Sequence, residues 1–129
     1  MALEVRRNAL LDPEIRRADN HALVLLRGEL DSSTAGQLYE QLSELTRDGV
    51  VHVALDLSEL EFMDSTGLSV VVAEHKRTTA SGGELVLLSP QSQVLRMFEM
   101  TGLTDVLHIL EDGAGERGPE EASGQAGVT

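Results

Sequence analysis

The sequence predicts one α/β domain: a mostly parallel β-sheet with an N-terminal antiparallel strand and helices packed on one face. Three observations carry this. The chain has 129 residues, enough for one domain. Its apolar patterning switches repeatedly between the two-residue period of strands and the three-to-four period of helices. Finally, Val50 to Leu57 alternates Val51, Val53, Leu55 and Leu57 with the more polar row Val50, His52, Ala54 and Asp56. A parallel strand covered on both faces is apolar throughout, so this alternation places the helices on one side only.

The elements follow in order. Glu14 to Ala18 reads as a short strand, turned at Asp19-Asn20 into a second strand, His21 to Leu30. There Ala22, Val24, Leu26 and Leu30 point one way. Ser32 to Arg47 is a helix with Ala35, Leu38, Leu42 and Leu45 on one stripe. Asp31, Ser32 and Ser33 are suitable N-caps, and Asp48-Gly49 ends the helix. The strand Val50 to Leu57 and a short loop lead to Asp64 to Arg77, whose Ser69 to Val72 run favours a strand. Helical spacing of Leu68, Val71, Val72 and His75, after the start signal Asp64-Ser65-Thr66, decides for a helix, ended by Ala80 to Gly83. Glu84 to Leu88 is a strand. Ser89-Pro90 opens a third helix with Val94, Leu95 and Phe98 on its stripe and Gly102 at its end. Val106 to Leu110 is the last strand. The order is β-β-α-β-α-β-α-β, and crossovers of one hand stepping in one direction put every helix on one face.

Composition narrows the function. A 41% apolar fraction with only 2% aromatics implies an aliphatic core. The absence of Cys removes disulfides, thiol catalysis and thiolate metal sites. A formal charge of −12 disfavours nucleic acid and anionic lipid as partners. No apolar run has the length of a membrane span, and Met1 to Asp12 lacks a signal-peptide pattern, so a cytoplasmic location is expected. Residues 1–12 read as an N-terminal extension and 13–112 as the domain. The acidic, Gly-rich stretch 113–129 reads as a disordered tail. The four His, at 21, 52, 75 and 108, show no spacing along the chain that suggests a metal site. No cofactor motif is present.

The best candidate site is Phe62-Met63-Asp64-Ser65-Thr66-Gly67-Leu68, where a strand and loop open onto a helix. Unpaired N–H groups and the positive end of the helix dipole would favour a phosphate on Ser65 or Thr66, while Gly67 permits close approach of another backbone. Read locally, Asp, Ser and Thr before a helix are caps. A second candidate is Gly28-Glu29-Leu30-Asp31, also at a strand's carboxyl end, the usual functional edge of parallel sheets. Asp31 and Asp64 are conceivable as an acid–base pair, with capping the plainer use of each.

Taken together, Gly28-Glu29-Leu30-Asp31, Leu55-Asp56-Leu57, Phe62 to Leu68, Gly82-Gly83-Glu84-Leu85, Ser89-Pro90 and Met97 to Leu103, in this order, resemble the STAS domain of bacterial anti-sigma-factor antagonists over residues 14–111. The resemblance implies a STAS fold and a protein that is not an enzyme. It implies that Ser65, the serine after the Asp of the D-S-[ST]-G motif, is phosphorylated by an anti-sigma factor that is itself a serine kinase. The unphosphorylated form would bind that kinase and release its sigma factor, and a PP2C-type phosphatase would reset the switch. Asp31, Asp64, Ser65, Thr66, Gly67 and Leu68 would form the partner-binding site. Two other readings remain open: a scaffold subunit of a larger STAS stress-signalling assembly, and an enzyme using Asp31 and Asp64. The second lacks a credible nucleophile–base pair.

Overall fold

The computed structural model describes residues 11–111. The expectations for residues 1–10 and for the acidic tail lie outside the described residues. Five strands form one sheet in the order β1-β2-β3-β4-β5: Leu11–Ala18, His21–Leu30, His52–Met63, Glu84–Leu88 and His108–Leu110. β1 is antiparallel to β2, and every later pair is parallel. The connecting helices are α1 (Ala35–Arg47), α2 (Ser65–Ala80) and α3 (Ser92–Met100), with a 3₁₀ turn at Leu103–Asp105 before β5. Spatial order equals chain order, so each crossover steps the same way across the sheet and the helices share one face, as the alternation of β3 predicts.

That face holds the core. Ala22, Val24, Leu26 and Leu30 of β2, Val53, Leu55 and Leu57 of β3, and Leu85 and Leu87 of β4 are buried. They meet Ala35, Leu38, Leu42 and Leu45 of α1, Val71 of α2, and Val94 and Phe98 of α3 in one aliphatic cluster. The opposite row of each strand (Leu23, Leu25, Ala54, Asp56, Val86, Leu88) is only partly covered by the described residues. On that open face Arg27 reaches Asp12, Glu14 and Glu59 at 3.5, 2.9 and 3.3 Å. Hydrogen bonds from Arg16 and Arg27 hold the Glu14 carboxyl below its ordinary range, and the Glu14 contact raises the Arg27 guanidinium further.

Several boundaries differ from the sequence reading, each for a local reason. β1 begins at Leu11, which is buried opposite Gly28, and so is longer than Glu14 to Ala18. β3 starts at His52, with Val50 buried and Val51 half-buried just before it, the reverse of the expected rows, and it does not stop at Leu57 but runs to Met63. Its buried residues there are Leu57, Leu60 and Met63, spaced by three, because the β2–β3 register shifts by one residue between Leu25 and Arg27 and again between Gly28 and Glu29. Each bulge turns the next apolar side chain back to the core and hides the strand from a two-residue template. Beyond Asp56 the strand also outruns β4. On that edge the Gln91 and Gln93 side-chain amides donate to the carbonyls of Ser58 and Glu61 at 2.8 and 2.7 Å.

The helix starts also move. α1 begins at Ala35, after a turn in which the Asp31 carbonyl accepts from Thr34 and Ala35 N–H at 3.1 and 2.8 Å. Its N-cap position is Thr34, so none of Asp31, Ser32 and Ser33 is the cap. α3 begins at Ser92 with Gln91 at the N-cap position, since Ser89 takes a left-handed conformation (φ 52°) while its N–H donates to Leu110. β5 is shortened to three residues by the 3₁₀ turn, leaving Val106 exposed. In α2 the inward stripe is Gly67, Leu68, Val70, Val71, Glu74 and Thr78, while Val72 and His75 lie at its margin.

Candidate functional site

The carboxyl ends of β2 and β3 lie side by side, with Leu30 paired to Met63. Each strand feeds a loop that opens a helix, α1 from β2 and α2 from β3, and the two loops are stitched together. The Asp64 N–H donates to the Leu30 carbonyl at 3.1 Å, and the Ser32 N–H donates to Asp64 Oδ2 at 3.2 Å. Gly67 makes this approach possible. A Cβ there would lie 2.6 Å from Leu30 Cγ and 2.8 Å from the Leu30 carbonyl oxygen. The glycine of the motif therefore serves the contact between α2 and the end of β2.

Asp64 is the N-cap of α2. Its Oδ1 accepts from the Thr66 and Gly67 N–H groups at 2.9 and 3.0 Å, and its carbonyl accepts from Leu68 N–H at 2.9 Å. The expectation that the first-turn N–H groups stand open to a phosphate is thus corrected for Thr66 and Gly67, whose donors the Asp64 carboxylate already occupies. Ser65, the first helical residue, is exposed, and no hydrogen bond from its hydroxyl is found among the described residues. Its carbonyl accepts from Ser69 Oγ at 3.0 Å. Thr66 is also exposed, whereas Gly67 and Leu68 are buried and act as packing residues under the loop.

Asp31 folds onto its own turn. Its Oδ1 accepts from the Ser33 hydroxyl at 2.7 Å and the Ser33 N–H at 2.9 Å. The Ser33 hydroxyl bond is the main reason its carboxyl lies below the ordinary range; partial desolvation acts the other way, and the Ser33 N–H and Thr34 add to the lowering. Asp31 and Asp64 are neighbours through Ser32: Asp31 accepts from the hydroxyl and N–H of Ser33, and Asp64 accepts from the N–H groups of Ser32, Thr66 and Gly67. Such an arrangement orients the two loops against each other. One residue of the site, Thr34, escapes sequence reading. It is 1% exposed and donates to the Glu29 carbonyl at 2.8 Å. Phe62, opposite Glu29 at the end of β3, is 45% exposed. Phe62 lies within the candidate motif, but its exposure follows from the shifted β2–β3 register, which the motif does not show.

Electrostatically the edge is acidic. Glu29, Asp31, Glu59, Glu61 and Asp64 cluster in sequence at the ends of β2 and β3, and Arg27 is the basic residue those ends carry.

Known proteins place this arrangement. The STAS domain family model matches residues 12–113. The anti-sigma-B factor antagonist of Listeria monocytogenes is 38% identical over 98 residues, covering 74% of this chain and 85% of that protein. The Staphylococcus aureus anti-sigma-B factor antagonist is 35% identical over 101 residues, covering 78% and 94%. Among solved structures, a candidate anti-sigma factor antagonist of Thermotoga maritima superposes with a TM-score of 0.74 at 27% identity, covering 84% of this chain and 92% of that one. The unphosphorylated form of the anti-sigma factor antagonist SpoIIAA shares the fold, with a TM-score of 0.65 at 20% identity over 82% of this chain and 94% of its own. With sheet order, motif positions and relatives in agreement, the chain belongs to the STAS domain family and, within it, to the anti-sigma-factor antagonists.

Proposed function

We propose that this chain is a phosphorylation-switched binding protein: unphosphorylated, it binds an anti-sigma serine kinase and so frees the sigma factor; phosphorylated on Ser65, it lets go. A PP2C-type phosphatase resets it. The observation that carries the reading is the setting of Ser65, an exposed hydroxyl at the first position of α2 whose nearest helix donors are taken by Asp64. A phosphoryl group attached there has little to fold back onto. Its charge of roughly −1.5 to −2 adds to an edge already bearing Asp31 and Asp64. No refolding is needed, because the added charge acts on the partner. A partner carboxylate about 5 Å away, at an effective dielectric near 20, raises the energy by about 3 kcal/mol per charge, on the order of a hundredfold in affinity.

The role is binding and not catalysis: Asp31 and Asp64 are both committed to loop N–H groups, and the named relatives are regulators. Phosphopeptide mapping after incubation with the cognate kinase and ATP tests the site. Ser65→Ala should lose the label yet bind the kinase constitutively, while Ser65→Glu should bind more weakly. Label on Thr66 alone, or equal affinity of the Ala and Glu variants, would overturn the assignment.

A further inference from the structure

We propose that the amino-terminal end of the open sheet face is a binding site for a divalent transition metal of the zinc class, with His21, His52 and Glu84 as ligands. This goes beyond the phosphorylation switch and does not depend on it, since the site lies at the opposite end of the strands from Ser65. Along the chain these residues are far apart, and their spacing suggests nothing. The parallel register assembles them. His21 of β2 pairs with His52 of β3, and His52 pairs with Glu84 of β4. All three alternate with buried neighbours (Ala22, Val53, Leu85) and so project from the face the helices leave uncovered.

The two imidazoles are already close. The His21 and His52 rings stack with centroids 4.6 Å apart and planes 19° from parallel. With Glu84 they line one hollow of about 210 Å³, floored by Ala54 and Val86. A fourth group stands behind: His108 Nδ1 of β5 lies 3.4 Å from Glu84 Oε2, where it orients the carboxylate or adds a ligand. Two imidazoles and one carboxylate are a donor set that zinc uses with a fourth position left to water. Imidazole also selects zinc, copper and nickel over magnesium or calcium.

Among the described residues no group of three such side chains is already drawn tightly enough to hold an ion. Ligation therefore requires the rings to turn. Nitrogens bound at about 2.1 Å to a tetrahedral ion lie about 3.4 Å apart, so the stacked rings must tilt their edges together. His21 and Glu84 are exposed and His52 is half-buried, and exposed side chains change rotamer within nanoseconds. The incomplete preorganisation fits a site of moderate affinity. Its consequence is a cross-link of three strands, stabilising the folded form in proportion to occupancy.

The test uses the full chain without a histidine tag, titrated with Zn²⁺ and Co²⁺ at neutral pH. Saturable binding of one ion per chain is expected. Co²⁺ should develop the visible absorption of a low-coordinate site, and amide NMR shifts should centre on residues 21, 52 and 84. At a hundredfold excess over the dissociation constant the melting temperature should rise by about 10 °C. His21→Gln and His52→Gln should each weaken binding at least tenfold, and Glu84→Gln should weaken it and change the Co²⁺ spectrum. His75→Gln, on α2 and away from the cluster, is the control that should change nothing. Absence of saturable binding, equal binding of Mg²⁺, or binding undiminished in the His21→Gln/His52→Gln double variant would overturn the site.

Discussion

Gly67 offers the sharpest test of how the switch region is built. Replacing it with Ala brings two opposed effects. In a helix Ala is preferred over Gly by about 1 kcal/mol, so propensity alone says that Gly67→Ala stabilises. The tertiary structure says otherwise. The new Cβ would stand 2.6 Å from Leu30 Cγ and 2.8 Å from the Leu30 carbonyl oxygen. A flexible side chain could yield, but this carbonyl is fixed by the Asp64 N–H bond at 3.1 Å and by the end of the β2–β3 ladder. Overpacking of this kind destabilises by about 1–3 kcal/mol, and stretching the Asp64 bond adds about 1 kcal/mol. The clash wins, with a net loss of about 2 kcal/mol or a melting temperature lower by about 10 °C. Gly36 supplies the internal control. It lies in the first turn of α1, is exposed, and a Cβ there would meet nothing within 4 Å. Gly36→Ala should hold or raise the melting temperature. Circular-dichroism melts of both variants decide the matter. A Gly67→Ala protein as stable as Gly36→Ala would refute the close approach of α2 to β2.

Two further outcomes follow from the same fold. Asp64→Ala removes the acceptor of the Thr66, Gly67 and Ser32 N–H groups and should destabilise by about 1–2 kcal/mol, with faster hydrogen exchange at those three amides; unchanged protection would mean that the carboxylate is not their partner. Glu74 is fully buried and bonded to Arg77, which stacks 4.9 Å over the Tyr39 ring, while its Oε2 has no partner among the described residues. Burial pushes its carboxyl above the ordinary 4.5, with Arg77 opposing. A folded-state value raised above the unfolded one means that the contribution is full below about 4.5 and fades as pH rises through the folded value. Glu74→Gln, which keeps an acceptor for Arg77, should therefore gain in melting temperature relative to the parent between pH 5 and pH 7.5. A difference that stays flat or shrinks over that range would refute the raised value.

Much of the fold was legible because its signals are local. Leu38, Leu42 and Leu45 on a helical period, or Val53, Leu55 and Leu57 on a strand period, each need only a window of neighbouring residues to be seen, and all are buried. Gly49 and Gly102 mark helix ends with positive φ of 86° and 75°, as their type suggests. The one-sided packing was legible too, through the half-polar row of β3. Legibility failed where two segments decide one another. The bulges that carry β3 on to Met63 exist only in the pairing with β2, and Glu74 is buried because α1 and α2 enclose it with Arg77 beside Tyr39.

The same division runs through the site. By itself the sequence determined that a helix opens within Asp64-Ser65-Thr66, because capping is a matter of a few adjacent residues; the structure makes Asp64 the cap and Ser65 the first helical residue. The sequence also determined the family, through motifs that survive in order. Only the tertiary structure decided that Asp64 would also take the Ser32 N–H, that Gly67 would touch Leu30, and that His21, His52 and Glu84 would share one hollow. Those contacts join residues about 30 or more positions apart, and their geometry is set by strand register, which no single segment encodes.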